Sequence, residues 1–264
     1  MYDPLQLREI FHLEFLRRFG QKVEGNRYAL KGGVNLRLFF NSFRYSEDID
    51  VDVSGVGVET LKRTVMKIIE ARVFQETLRS FGIARVIAPD IAKAKQTETT
   101  QRFKMHLLTD SGEDLFTQVE FSRRGWSGRA IVEPVSNRVL RAYQMAPLLI
   151  SHYDVLSAIR QKIEALAGRS ILQARDVFDL YLLSSQVDPV LRTGAKEARA
   201  LKTLDKSRFE KAHHRLFEID YEQFRDTVVS YLAEEDQVLY EAKSSWDELQ
   251  LRAAHFIEEL KEKK

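Results

Sequence analysis

The sequence has 264 residues and contains no cysteine. Its absence excludes disulfide bonds, thiolate zinc sites and cysteine nucleophiles, and it agrees with a cytoplasmic location, which we expect. No uncharged apolar run approaches the roughly 20 residues of a membrane-spanning helix. The first residues, MYDPLQLREIF, include acidic side chains and no long apolar stretch. We therefore expect neither a membrane span nor a secretory signal.

Neither sign of charge predominates, because 41 Lys and Arg residues against 39 Asp and Glu residues leave a net charge of +2. The whole-chain charge indicates no particular partner, so any anion binding must be local. Two basic groups stand out, RFKMH at 102–106 and the arginines at 123, 124 and 129. Such residues suit a surface that attracts RNA phosphates, but a charge run of this kind is usually an ordinary solvated face.

Hydrophobic periodicity predicts a mixture of helices and strands in the first half of the chain. Residues 4–19 have helical spacing, and residues 58–81 are predicted to form one long helix. Strict alternation predicts a strand at residues 46–53, SEDIDVDV. Residues 82–140 have β character, with a hairpin-like break at Ser111-Gly112.

The second half of the chain is predicted to be helical from about residue 147. Residues 190–264 are rich in Glu, Lys, Leu and Ala and nearly free of Gly and Pro, which also favours helices. The predicted fold is therefore α+β, with an α/β domain at 1–146 and an α-helical domain at 147–264.

Three aspartates, Asp48, Asp50 and Asp52, lie on the predicted strand. Successive strand residues point to opposite faces, so the aspartates share one face and the apolar residues between them share the other. Like charges about 7 Å apart repel, and a divalent cation such as Mg²⁺, which prefers carboxylate oxygens, would turn them into a site. The alternative is a solvated edge face whose aspartates discourage edge pairing.

Glycine is scarce, and six of the 12 glycines lie between residues 20 and 57. Lys31, Gly32 and Gly33 separate a predicted strand end from a helix start, where free backbone N–H groups suit a phosphate. A double glycine alone also fits an ordinary tight turn. Here the double glycine is followed by a strand with two alternating aspartates. The combination predicts a turn that binds a triphosphate, next to a pair of carboxylates that bind a metal ion.

The segment LKGGVNLRLFFNSFRYSEDIDVDV resembles the first motifs of the DNA polymerase β-like nucleotidyltransferases, and within them the AbiEii/MenT toxin family. Lys162-Ile163-x-Ala165-Leu166 is similar to the third family motif, and Arg175-Asp176-x-x-Asp179-Leu180 to the fourth. The resemblance spans residues 28 to 183. It implies a polymerase β-like domain with a mixed sheet, followed by a helical domain that completes the active-site cleft. Gly33 replaces the serine usual in the wider superfamily, a replacement that looks normal in this subfamily.

The resemblance also assigns roles to individual residues. It implies Mg²⁺ at Asp48 and Asp50, with Glu120 as a third ligand, although an exposed strand glutamate is an equally good interpretation of Glu120. The implied catalytic residues are Asp48, Asp50, Lys162 and Asp176. The implied contacts to the NTP are Lys31, Gly32, Gly33, Arg44, Ser46, Lys162 and Asp179.

The activity that the resemblance implies is Mg²⁺-dependent transfer of a nucleotide from an NTP to an acceptor hydroxyl. By family analogy the acceptor is RNA, plausibly the 3′ end of tRNA, and the partner is a cognate antitoxin. Two alternatives stay open. One is a nucleotidyltransferase for small molecules such as aminoglycosides, and the other is a module of the same fold that binds a nucleotide or a partner without turnover.

Overall fold

The structure is a computed structural model that describes residues 2–192 and 204–262 of the chain. The chain forms two units. The first unit consists of Met1–Phe39, Tyr45–Trp126 and Ala130–Tyr153, and the second of Phe40–Arg44, Ser127–Arg129 and Asp154–Lys264. We call them the sheet unit and the helical unit.

The sheet unit is built on a seven-stranded mixed sheet with the strand order β3-β4-β5-β2-β1-β7-β6. Its strands are β1 (Tyr28–Lys31), β2 (Asp48–Val53), β3 (Ile83–Ile87), β4 (Thr100–Thr109), β5 (Asp114–Ser122), β6 (Ala130–Pro134) and β7 (Leu149–Tyr153). The pairs β2–β5 and β1–β7 are parallel, and the other neighbours are antiparallel. The mixed sheet and the α+β class agree with the sequence-based prediction. The strand β7 follows the predicted boundary at residue 146 yet belongs to the sheet unit.

The side chains of the central strands alternate between a buried face and a polar face, as period-2 patterning requires. On β2, Ile49 and Val51 are fully buried, and on β4 the same holds for Phe103 and Met105. Residues between them point the other way. We call that side of the sheet the polar face; it carries Asp48, Asp50, Arg102, Lys104, Gln118 and Glu120.

Helices supply the apolar partners of the buried face. They are α1 (Pro4–Gly20), α2 (Gly32–Phe39), α3 (Val58–Ile69), α4 (Arg72–Arg79) and α5 (Asn137–Ala142). Asp3 caps α1 by accepting a hydrogen bond from the backbone N–H of Gln6, whose side chain accepts one from the Asp3 N–H in return. Phe11, Phe15 and Phe19 then stack along α1 with ring centroids about 6 Å apart, and Phe19 contacts Phe121 of β5. This aromatic row anchors α1 to the sheet.

The single helix predicted at 58–81 is wrong, because the chain forms α3 and α4 with a break at Glu70-Ala71. Ala71 is extended, with a ψ of 126°. Val73 follows Ile69 at helical spacing, so one continuous helix would direct it to the core, but the break leaves it 57% exposed. Starting a new helix lets Phe74 and Leu78 enter the core, where both are buried.

The helical unit contains six α-helices within the described residues. They are α6 (Val155–Gly168), α7 (Ala174–Arg192), α8 (Lys206–Arg215), α9 (Tyr221–Thr227), α10 (Glu234–Tyr240) and α11 (Lys243–Glu262). Phe178 lies at the centre of the unit and contacts the rings of Phe43, Phe224 and Tyr240. Trp246 stacks on Phe224 with centroids 4.6 Å apart.

The helical prediction for residues 190–264 is confirmed over 206–262, apart from the short connections between helices. Residues 193–203 lie outside the described part of the chain. Among the helices of the described part, none is both long and apolar enough to cross a membrane.

Candidate active site

The aspartate strand β2 lies between β1 and β5 in the sheet. Asp50 is the register partner of Lys31 on antiparallel β1 and of Glu120 on parallel β5. Residues paired in this way point to the same face. The topology therefore places the predicted Asp48, Asp50 and Glu120 on one face of the sheet, with Lys31 beside them.

Gly32 brings the backbone against Asp50. It directly follows β1, opens α2 and has a φ of 71°. A Cβ at this position would lie 2.7 Å from Oδ2 of Asp50, closer than real contacts allow. The start of α2, whose first N–H groups have no partner inside the helix, thus adjoins the aspartate carboxylate. Glycine is required here both by the left-handed conformation and by the lack of space.

We expect Gly32→Ala to reduce nucleotidyl transfer at least tenfold, because the new Cβ displaces either Asp50 or the first turn of α2. Gly55 is a matched control, since its φ of 68° is similar and nothing lies within 4 Å of an added Cβ. Both substitutions carry a backbone cost of about 1–2 kcal/mol. Activity per folded molecule should fall only for Gly32→Ala, and equal activity of the two variants would contradict the role assigned to the contact.

Both carboxylate oxygens of Asp52, the third aspartate of the strand, contact side chains of neighbouring residues in the sheet unit. Its Oδ1 lies 2.6 Å from Nζ of Lys31, and its Oδ2 accepts a hydrogen bond of 2.7 Å from the hydroxyl of Tyr153. Lys31, predicted to contact the NTP, is therefore held by a buried carboxylate. Tyr153 was not a predicted site residue, and only the pairing of β7 with β1 shows its proximity to Asp52.

The fit of a magnesium ion rests on Asp48 and Asp50. They supply the oxygen ligands that Mg²⁺ prefers, on one face and two residues apart, and the space beside Asp50 is bounded by the backbone of Gly32. Glu120 points to the same face, but its Oε2 lies 2.5 Å from Nε of Arg102 on β4. Across residues 2–192 and 204–262, no group of three or more acidic or histidine side chains is arranged to hold a metal ion. The aspartate pair fits the ion, and the third ligand stays a prediction.

The segment before β2 is fixed by hydrogen bonds to its backbone. The Ser46 hydroxyl donates to the carbonyl of Asp48. The carbonyl oxygen of Glu47 accepts from Thr117 Oγ1 at 2.6 Å and from His12 Nε2 at 3.2 Å. Since a carbonyl only accepts, Nε2 of His12 carries a hydrogen. These contacts set the position at which the aspartate strand begins.

We expect stability to fall as the pH drops below 6.5, because burial lowers the pKa of His12 to about 3 and that of His152 to about 4. The unfolded chain takes up a proton at each residue near pH 6.5, whereas the folded protein stays neutral. The free energy of unfolding is thus at its full value above pH 6.5 and declines below it. In urea titrations between pH 7 and 5, His12→Gln should reduce the slope by about 1.4 kcal/mol per pH unit; an unchanged slope would contradict the assignment.

The helical unit contains a cluster of five charged side chains, which we call the Lys162 cluster: the buried Arg44, Lys162, Asp176 and Asp179, and the more exposed Arg169. Nζ of Lys162 lies 3.0 Å from Oδ1 of Asp176 and 2.6 Å from Oδ2 of Asp179. Arg44 contacts both oxygens of Asp179, at 3.1 and 3.2 Å, and Arg169 lies 2.7 Å from Asp176. Three cations and two anions leave the cluster with a charge of +1.

The charges around Asp179 favour its ionised form. Burial of Asp179 by itself raises its pKa, but the charges and hydrogen bonds of Arg44 and Lys162 outweigh burial and hold the pKa below its usual range. Two of the three ammonium donors of Lys162 are thereby directed to Asp176 and Asp179. The cluster brings together four predicted site residues, Arg44, Lys162, Asp176 and Asp179.

Comparison with known proteins identifies the family of the chain. A sequence model described as nucleotidyl transferase AbiEii toxin, type IV TA system, matches residues 14–252. The chain belongs to this AbiEii toxin family. This AbiEii protein is therefore a nucleotidyltransferase of a toxin–antitoxin system, a membership that implies an NTP substrate and a cognate antitoxin. A search of curated proteins found no match.

Two solved structures share the fold of this AbiEii toxin. One is a crystal structure of an H. pylori protein assigned as a nucleotidyltransferase, with 18% identity, a TM-score of 0.58, and coverage of 100% of this chain and 99% of that one. The other is MenT4, a nucleotidyltransferase toxin from Mycobacterium tuberculosis, with 15% identity, a TM-score of 0.60, and coverage of 98% and 92%. At these identities the likeness establishes the fold alone, and it confirms the predicted α+β class with a mixed sheet.

Sequence reasoning on this AbiEii toxin missed several of these contacts. Arg169 is not among the predicted site residues, and the structure pairs it with Asp176. The bond from Tyr153 to Asp52 and the pairing of Arg102 with Glu120 were not foreseen. Arg102 and Glu120 lie opposite each other on β4 and β5, so a correct prediction of this strand pairing would have indicated their contact.

Proposed function

We propose that this AbiEii toxin transfers a nucleotide from an NTP to a hydroxyl of RNA in a reaction that depends on Mg²⁺. The observation that carries the proposal is the contact of Asp50 with the backbone of Gly32 at the start of α2. It joins a carboxylate pair suited to a metal with free N–H groups suited to phosphates. On a solvated edge strand, the side chain of Asp50 would face water and would not lie against the backbone of a helix start.

Asp48 and Asp50 are the residues that would hold the ion in this proposal, with Glu120 as the third ligand. When bound, the metal supplies Lewis-acid stabilisation of charge on the transferring phosphate and on the attacking and leaving oxygens. The Gly32 and Gly33 amides, with Lys31 and Ser46, bind the phosphates. The role of Lys31 is limited to the donors that Asp52 leaves available.

In the bond changes of the proposed reaction, the oxygen of the acceptor hydroxyl forms a bond to the α-phosphorus. The bond from that phosphorus to the oxygen bridging the α- and β-phosphates breaks, and pyrophosphate leaves. The hydroxyl proton passes to a carboxylate, either Asp50 or Glu120. Lys162 and Arg44 stabilise the charge of the departing phosphates, and Asp176 and Asp179 hold both cations in place.

RNA is proposed as the acceptor, and the 3′ end of tRNA as the specific target. The local basic residues of the sheet unit support an RNA acceptor, since they attract phosphates without help from the net charge. The cytoplasm, expected from the cysteine-free sequence, would be the place of action. A small hydroxylated molecule such as an aminoglycoside is the alternative acceptor.

The test is a transfer assay with each NTP radiolabelled at the α-phosphate, Mg²⁺, and total bacterial RNA or small hydroxylated acceptors. Label in a band of tRNA size is the expected result. Label only on the small acceptors would replace RNA by the alternative. Mg²⁺-dependent nucleotide binding with no pyrophosphate release from any mixture would indicate a binding module and would overturn the proposal.

A further inference from the structure

A short basic segment with one tryptophan follows the strand of Glu120. Residues 123–129 read RRGWSGR, with three arginines and no acidic residue. The first four belong to the sheet unit and come directly after Ser122, the last residue of β5. The proposed roles of the carboxylates do not account for a tryptophan and three arginines in the segment that follows their sheet strand.

Trp126 is 41% exposed, unusual for the largest apolar side chain. Its ring packs at an interplanar angle of 80° against the ring of Tyr153, with centroids 6.3 Å apart. The Tyr153 hydroxyl in turn donates to Asp52 on the aspartate strand. A chain of two contacts thus holds an exposed indole next to the strand that carries Asp48 and Asp50.

The two arginines that precede Trp126 have different surroundings. Arg123 is tied down, because it donates to the carbonyl of Val56 at 3.0 Å and to the side chain of Gln101. Arg124 is exposed, and within the described residues it forms no ion pair. Gly125, with a φ of 95° and open space around its Cα, makes the turn that separates Arg124 from Trp126. Arg123 thereby anchors a loop that presents one cation and one aromatic ring.

We infer that Trp126 stacks on a nucleobase of a single-stranded RNA acceptor while Arg124 binds an adjacent phosphate. The inference rests on the proposed function and extends it to a mode of acceptor recognition. Unpaired bases in RNA loops and ends stack on aromatic side chains, and proteins that bind single strands combine such rings with positive charge along the backbone. A docking site for an apolar protein surface gains nothing from arginines on both sides of its tryptophan, and the negative charge of Glu98 acts on Arg123, which anchors the loop.

The tryptophan content makes the contact directly measurable. The chain has two tryptophans, and Trp246 is 1% exposed and stacked on Phe224. Quenching of intrinsic fluorescence therefore reports on Trp126 in the wild-type protein, and a Trp246→Phe variant leaves Trp126 as the sole fluorophore. The probe is a single-stranded oligoribonucleotide of about eight residues, compared with a duplex of the same length and with free NTPs, in the absence of Mg²⁺.

The expected result is saturable quenching by the single strand. Trp126→Leu should raise both the dissociation constant and the KM for RNA about tenfold or more, with kcat and the KM for NTP unchanged. Trp126→Phe, which keeps a ring, should recover most of the affinity. Arg124→Gln should reduce the dependence of binding on salt by about one charge, whereas Arg72→Gln, at another exposed arginine on α4, should not.

Three results would overturn the inference: no quenching by the single strand, equal binding of the duplex, or unchanged RNA affinity in Trp126→Leu. Quenching by free NTPs but not by RNA would also overturn it, because the stacked base would then be that of the nucleotide. Failure of the proposed function is distinguishable. Quenching by RNA without any transfer would support the stacking and refute the reaction. Transfer to RNA that Trp126→Leu does not affect would support the reaction and refute the stacking.

Discussion

Replacement of Asp50 by asparagine is expected to reduce nucleotidyl transfer on the order of a thousandfold. Asparagine has the same shape but lacks the negative charge, so the affinity for a divalent cation falls and several kcal/mol of transition-state stabilisation are lost. The same result is expected for Asp48→Asn, because both side chains lie on the polar face two residues apart. Initial rates at several Mg²⁺ concentrations measure the effect.

Asp114→Asn is the matched control for the aspartate pair. Asp114 also lies on a strand of the sheet, its side chain is 53% exposed, and its partner is His106. We expect its transfer rate to stay within about twofold of wild type, as is usual for substitutions away from a site. Full activity in either Asp48→Asn or Asp50→Asn would rule out the proposed metal site. A loss that added Mg²⁺ partly restores would support it.

Replacement of Asp179 by asparagine is expected to destabilise the helical unit by about 3–5 kcal/mol. Asp179 is fully buried and contacts both Arg44 and Lys162. Without its charge, the cluster rises from +1 to +2 in a buried environment, and the cost of the unpaired cations is not offset. Because the pKa of Asp179 is held low, this stabilisation is present above pH 4 and is lost as the pH falls through the lowered value.

Urea unfolding followed by fluorescence in a Trp126→Phe background, where the buried Trp246 is the sole tryptophan, measures this loss in the unit concerned. The control is Asp226→Asn on α9, where an exposed pair with Arg225 should leave the stability close to that of the wild type. In the double variant Arg44→Met, Asp179→Leu, the total destabilisation should be smaller than the sum of the single effects by about 1–3 kcal/mol. Additive effects would show that the two residues are not coupled.

The aspartate strand was predictable because its information is local. Alternation of Asp and apolar residues at 48–53 determines both the strand and the side on which the carboxylates lie. The same alternation assigned Glu120 to a polar face. Alternation does not show which strands are neighbours or which residues lie opposite each other. The contacts of Asp52 with Lys31 and Tyr153 therefore became known only from the strand order of the structure.

The sequence carried no clear signal of the break between α3 and α4, since Val73 follows Ile69 at helical spacing. The break was missed because Glu70 and Ala71 are good helix formers, and burial of Phe74 and Leu78 prevailed over local propensity. The Lys162 cluster is a different case. Arg44 and Asp179 are 135 positions apart, and no periodicity connects residues at that separation. Only the resemblance to a family indicated that both belong to a site.

That separation has a consequence for the synthesis of the protein. The segment Phe40–Arg44 belongs to the helical unit, yet it leaves the ribosome long before the rest of that unit exists. Translation of the 135 residues up to Asp179 takes on the order of 10 s, and during this time the guanidinium of Arg44 has no carboxylate to meet. Copies of the toxin that terminate before Asp179 are therefore expected to remain unfolded there and to be degraded, so that the Lys162 cluster forms only in chains that extend beyond residue 179 of 264.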